Sequence, residues 1–144
     1  MTVPPPCLSL PPSHAGAPSI LIIEDNRDTA SSLACFFRLG VGYAVAVATD
    51  GAEGVRYALD SPPDVVICDI GLPKQNGLLV GEELAERLPR RPLLIAVTGY
   101  GDQVTRECAA AAGFDHYLVK PADPFELEAL IEAHVHPPAG SASG

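Results

Sequence analysis

Five short apolar runs set the limits on what this chain can fold into. They occupy positions 20–23, 43–48, 65–68, 93–97 and 116–119. Most are apolar at consecutive positions rather than at alternate ones. A strand with water on one face alternates; a strand covered on both faces does not. The runs therefore read as parallel strands buried on both sides. Each is followed by a segment with helical punctuation, so the order is βα repeated five times. Right-handed crossovers then give an α/β fold: a doubly wound, five-stranded parallel sheet with helices on both faces.

The helical segments carry their own start and stop signals. The first begins after Asn26 and is expected to end at Gly40, with Leu33 and Phe37 on one stripe. The second has Asp50 as cap, Glu53 three residues on, and ends before Pro62. The third covers about 77–88 and stops at Pro89. The fourth starts at Asp102, passes through the alanines at 109–112 and ends at Gly113. The fifth has Asp123 as cap, Pro124 in the first turn and Glu126 to complete a capping box. Positions 1–18 hold six of the 15 prolines, so this stretch reads as a flexible or polyproline-like tail. Positions 137–144 read as a second loose end, leaving 19–136 as the folded domain.

Charge narrows the choice of function. Lys and Arg number 9 against 18 Asp and Glu, a formal net charge of −9. Such a chain repels phosphate backbones and anionic membrane surfaces, so no nucleic acid and no membrane is expected as a partner. No apolar run approaches a bilayer-spanning length, and no charged region and apolar core of a secretory signal precede Arg27. The four cysteines (Cys7, Cys35, Cys68, Cys108) lack metal-ligand spacing and are read as reduced, mostly structural thiols of a cytoplasmic protein.

In a parallel sheet, ligands gather at the carboxyl ends of the strands. The first run ends in Glu24-Asp25, the third in Asp69, the fourth in Thr98 and the fifth in Lys120. Asp64, by contrast, enters the third run and belongs at the opposite pole. Three carboxylates in one crevice repel by ~4 kcal/mol per pair at 4 Å and an effective dielectric near 20. Protonation or a bound cation must relieve this. Oxygen donors without His or Cys favour a hard ion, Mg²⁺ first, and Mg²⁺ favours a phosphoryl partner. Lys120 offers a point charge, Thr98 a hydroxyl, and an aspartate can itself be the nucleophile that forms an acyl phosphate. Lys120 is one of only two lysines and sits between Val119 and Pro121, an unusual setting for a solvated side chain.

The strings LIIEDN, VVICDIGLPKQNG, AVTGYG and DHYLVKP resemble the receiver domain of two-component response regulators, with wording most like receivers of hybrid histidine kinases. The resemblance spans about 19–136. It implies a flavodoxin-like (βα)5 fold of strand order 2-1-3-4-5. It makes Asp69 the phosphoacceptor, and Glu24, Asp25 and the backbone carbonyl of Gly71 its companions at Mg²⁺. Thr98 becomes the switch hydroxyl, Lys120 the family's lysine and Tyr117 the switch aromatic. Pro121 matches a proline whose preceding bond is often cis. Pro73 and Gly77 fit the turn after the acceptor. The pair is Glu-Asp where Asp-Asp is commoner; Gly71 and Tyr100 occupy positions that tune phosphoryl lifetime in the family.

The implied function is phosphorelay signalling. A histidine kinase or histidine phosphotransfer protein supplies the phosphoryl group. A downstream protein reads the face made by the fourth helix, fifth strand and fifth helix. No effector domain is read after position 136, so a stand-alone receiver is expected. Two alternatives stand beside this. Aspartyl-phosphate phosphohydrolases use similar groups but need a second Asp two residues after the nucleophile, where this chain has Gly71. A receiver-like module could instead bind partners without phosphorylation. A dinucleotide site is excluded by EDNRD after the first run, where a glycine-rich loop is required.

Overall fold

The computed structural model describes residues 18–70, 77–99, 101 and 103–135. Five parallel strands form one sheet in the order β2-β1-β3-β4-β5. They are β1 (Ser19–Ile23), β2 (Ala44–Ala48), β3 (Val65–Asp69), β4 (Leu93–Thr98) and β5 (His116–Val119). The helices between and after them are α1 (Arg27–Cys35), α2 (Gly51–Asp60), α3 (Gly77–Arg87), α4 (Gln103–Ala112) and α5 (Pro124–Val135). The sheet order and the five helices are those expected for a flavodoxin-like receiver fold.

Alternation within each strand sends neighbouring residues to opposite cores. Leu21, Ile23, Val66, Cys68, Leu94 and Ala96 face α2, α3 and α4, meeting Val55, Val80, Leu84 and Ala109. Ile20, Ile22, Ile67 and Ile95 face α1 and α5, meeting Leu33, Phe37, Leu127 and Ile131. All positions of β3 and β4 are buried, which explains why these runs are apolar throughout. Among the described residues no helix is long and apolar enough to cross a membrane.

Several boundaries depart from the sequence expectations for local reasons. The first helix does not stop at Gly40. After α1 the chain widens into π-helical turns over Phe36–Val41 and reverses at Gly42, whose φ of 95° suits glycine. Both Gly42 N–H and Tyr43 N–H donate to Phe37 O, at 2.9 Å each. Tyr43 stacks on the buried Phe37 ring at 5.9 Å. Packing of the two rings thus outweighs the stop signal at Gly40.

The caps follow the same pattern of near agreement. Asp50 caps α2 by accepting from Glu53 N–H at 2.8 Å, but the Glu53 carboxylate reaches one residue further back, to Thr49 N–H at 2.7 Å. Asp123 accepts from Phe125 N–H at 2.9 Å, while Glu126 reaches the cap through its own N–H, donated to Asp123 O. Of the described cysteines only Cys68 is a core residue; Cys35 and Cys108 are exposed, which corrects the reading of these thiols as mostly structural. The expected tails, the Asp102 start of the fourth helix, and the positions Gly71, Pro73 and Tyr100 fall outside the described residues, apart from Pro18.

Candidate functional site

The carboxyl ends of β1, β3, β4 and β5 meet because the strands pair in parallel and in register. Ile23 pairs with Cys68 and Asp69 with Val97, so Glu24 follows β1 beside Asp69. Thr98 pairs with Val119 in the next step, and Lys120 N–H donates to Thr98 O at 2.7 Å. The Lys120–Pro121 bond is cis. Gly77 opens α3 hard against the end of β3: a Cβ there would lie 2.4 Å from Ile70 Cα and 2.7 Å from Asp69 O.

Glu24, Asp25 and Asp69 each bring a carboxylate oxygen within 4.8 Å of the others. Glu24 is 4% exposed and Asp69 6%, whereas Asp25 faces solvent. The Lys120 ammonium lies between the two buried acids, 3.1 Å from Glu24 Oε1 and 3.0 Å from Asp69 Oδ2. Asn26 N–H donates to Glu24 Oε2 at 3.0 Å, and Asn26 Oδ1 caps α1 by accepting from Thr29 N–H at 2.9 Å. The cap reading of Asn26 therefore holds, which leaves the Glu24-Asp25 pair for another task.

Burial sets the electrostatics. Desolvation raises the pKa of the Glu24 carboxyl, and the charge of Asp69 adds to it, against the opposing pull of Asn26 N–H and Lys120. Burial alone would lower the pKa of Lys120. Its hydrogen bonds to Asp69 and Glu24, with their charges, outweigh burial and hold it above the ordinary lysine range. Three carboxylates thus face one ammonium. The donor set is all oxygen, partly buried and in excess of negative charge, which fits a small hard dication such as Mg²⁺. A cleft of about 600 Å³, with Ile22, Ile67 and Val97 at its floor, runs past Glu24, Asp69 and Lys120. It gives the site access to solvent between α1 and the β5–α5 connection.

Thr98 is fully buried at the end of β4. Tyr117 lies on β5 beside Ala96, on the same sheet face as Thr98, half-buried against the α2–α4 core. The guanidinium of Arg106 in α4 sits over its ring at 4.7 Å. The sequence reading missed Arg106. Its only signal was a basic residue on the helix that precedes the aromatic strand.

A 2-1-3-4-5 parallel sheet with acids after β1, an aspartate ending β3, a threonine ending β4 and a lysine after β5 defines the receiver class of α/β proteins. Comparison with known proteins agrees. Residues 20–132 match the response regulator receiver domain family. The chain is 39% identical over 110 residues to the aerobic respiration control protein ArcA of Escherichia coli K12, covering 76% of this chain and 45% of ArcA. It superposes on a CheY-like response regulator receiver domain protein from Methanospirillum hungatei with a TM-score of 0.76 and 28% identity, covering 83% of this chain and 94% of that one. The receiver domain of a sensor histidine kinase from Pseudomonas aeruginosa, solved with magnesium coordinated in its active-site cleft, gives 0.74 and 30% over 83% and 98%. This chain belongs to the response regulator receiver domain family. It spans about half the length of curated relatives such as ArcA and the transcriptional regulatory protein PrrA of Mycobacterium tuberculosis. Receiver domains of this family are signalling phosphoacceptors that bind Mg²⁺ in an acidic site.

Proposed function

We propose that residues 19–136 form a receiver that accepts a phosphoryl group on Asp69 from a histidine kinase or histidine phosphotransfer protein, in a Mg²⁺-dependent reaction. The observation that carries this is the Lys120 ammonium held within 3.1 Å of both buried acids, beside a third carboxylate. A structural ion pair needs one acid per cation; this arrangement has an excess of negative charge at a solvent-reached pole.

The roles follow from the chemistry of each group. Glu24, Asp25 and Asp69 are the side chains that would hold Mg²⁺, together with the Gly71 carbonyl implied by resemblance. When bound, Mg²⁺ supplies charge neutralisation and a fixed orientation for phosphoryl oxygens. The Asp69 carboxylate attacks phosphorus in line; an O–P bond forms, the P–N bond of phosphohistidine breaks, and its electron pair returns to the imidazole nitrogen. Lys120 leaves Glu24 and neutralises charge on the phosphoryl oxygens. The product adds negative charge and acceptor oxygens near the Thr98 hydroxyl. Thr98 turning toward them makes room over Ala96 for the Tyr117 ring to move inward, so the α4–β5–α5 surface changes its affinity for a downstream protein.

Labelling with acetyl phosphate and Mg²⁺ tests the assignment. Asp69→Asn is expected to lower covalent label by a factor of at least about 100, since each factor of ten in rate is only about 1.4 kcal/mol and the nucleophile itself is gone. Equal label on variant and wild type, with the urea midpoint unchanged, would place the acceptor elsewhere.

A further inference from the structure

Tyr117 does not stand alone on the surface. Arg106 stacks its guanidinium on the ring at 4.7 Å. Arg106 is exposed, and among the described residues it forms no ion pair with a carboxylate. A guanidinium over the face of a tyrosine is attracted by the ring's quadrupole and desolvates little in doing so. The contact joins α4 to β5, while Ala109, Ala112 and Phe114 belong to the core cluster against which Tyr117 packs. The register places Ala96 beside Tyr117 and Thr98 two pairs further on, the next residue of β4 on the same sheet face. Tyr117 and the buried Thr98 are therefore diagonal neighbours on one face, and the residue of β4 beside the ring is only an alanine. The ring is half-buried, with the exposed Arg106 guanidinium on its face and the small Ala96 beside it on β4.

The geometry points to Arg106 as a positioning residue for the switch: its guanidinium favours the outward ring of Tyr117 and so opposes the phosphorylated state. This rests on the function proposed above and deepens it. Any contact made only in one of two states shifts their balance by its own strength. By linkage, a phosphoryl mimic that favours the inward ring must then bind more weakly when Arg106 is present. An exposed cation–π contact contributes a factor of about two to five in that equilibrium.

The test is a titration of the 144-residue chain with beryllofluoride in saturating Mg²⁺, read by the ring resonances of ¹³C-tyrosine; the chain has four tyrosines, and Tyr117→Phe assigns the signal. Arg106→Ala should bind the mimic about two to five times more tightly. In the unliganded variant the Tyr117 resonance should move toward its position in the saturated wild type. Arg106→Lys, which keeps a cation, should show a smaller change. In a Tyr117→Leu background Arg106→Ala should have no effect on affinity. The inference falls if Arg106→Ala binds like wild type, or if it tightens binding equally with Tyr117→Leu present. A wild type that binds no beryllofluoride would overturn the proposed function instead. The unliganded resonance shift would then decide the clamp by itself: an unmoved signal on Arg106→Ala overturns it, and a moved one upholds it.

Discussion

The two poles of the sheet use the same residue types to opposite ends. At the amino pole Asp64 and Asp115 are spent on backbone. Asp64 accepts from Ser19 N–H at 2.9 Å, and Arg90 lies 3.6 Å from its other oxygen. Asp115 accepts from Leu94 N–H at 2.9 Å, while Arg91 bridges it to Gly113 O. Each of these two carboxylates has one arginine and one backbone amide to satisfy. At the carboxyl pole Glu24, Asp25 and Asp69 converge on one another, and among the described residues Lys120 is the cation that pairs with them. Hydrogen-bonded acids of the first kind stabilise; clustered acids of the second kind cost stability until a cation arrives. Stability and function are thus assigned to opposite ends of the same strands.

The sharpest way to break this contrast is at Asp115. Asp115→Ala leaves the amide of fully buried Leu94 without its partner. An unmet buried donor costs about 1–3 kcal/mol, so the unfolding free energy from urea denaturation should fall by that amount while acetyl phosphate labelling of the folded protein is unchanged. A loss of labelling at equal folded fraction would mean that the two poles are coupled.

Gly77→Ala attacks the link between fold and site. The added Cβ meets backbone rather than a movable side chain, at Ile70 Cα and Asp69 O. Overpacking of this kind costs about 1–3 kcal/mol. Because the strain falls on the residue that carries the acceptor, labelling per folded molecule should drop as well, unlike the Asp115 variant. Denaturation and labelling measured on one sample separate the two.

Asp25→Asn should show the cluster's cost directly. Removing the exposed acid leaves Glu24 and Asp69 paired to Lys120. Mg²⁺ affinity should fall about tenfold, or about 1.4 kcal/mol, and metal-free stability should rise by a few tenths of a kcal/mol. Calorimetric Mg²⁺ titration with a metal-free melt checks both signs. A variant less stable without metal would mean that Asp25 acts as the amino-pole acids do.

The fold was legible because its signals are local. Unbroken apolar runs at 65–68 and 93–97 mark strands buried on both faces, and Gly113, with φ of 105°, marks the end of α4 as read. The strand exits also identified Glu24, Asp25, Asp69, Thr98 and Lys120 as residues of one pole, because parallel pairing forces every exit to the same edge. What depended on tertiary packing was not legible. The turn at Gly42 is set by Phe37 stacking on Tyr43, and that pairing has no local signature. The insertion of Lys120 between two acids 51 and 96 residues away is a matter of register and rotamer. Arg106 over Tyr117 is likewise a contact between elements, and a helical arginine reads as solvated until the strand beside it is known.

Other acids at the carboxyl pole are spent on backbone, as Asp50 and Asp123 are, and Glu53 among them yields the smallest expected effect. Glu53 stands after β2, at the carboxyl pole, yet it behaves like Asp64 and Asp115. The Thr49 N–H hydrogen bond, with help from the Thr49 and Tyr57 hydroxyls and the charge of Arg56, holds its carboxyl below the usual range against the opposing effect of desolvation. The folded state therefore binds this proton less readily than the unfolded chain does. Its contribution is fully present above the ordinary glutamate range and is lost as pH falls through the lowered value. Glu53→Gln should flatten the acid limb of stability between neutral pH and about pH 3 without altering labelling, since β2 is the edge strand and lies outside the Lys120 cluster. Urea midpoints at a series of pH values on both proteins check it. If Glu53→Gln changed labelling instead of the acid limb, position in the sheet rather than backbone engagement would decide which acids serve the site.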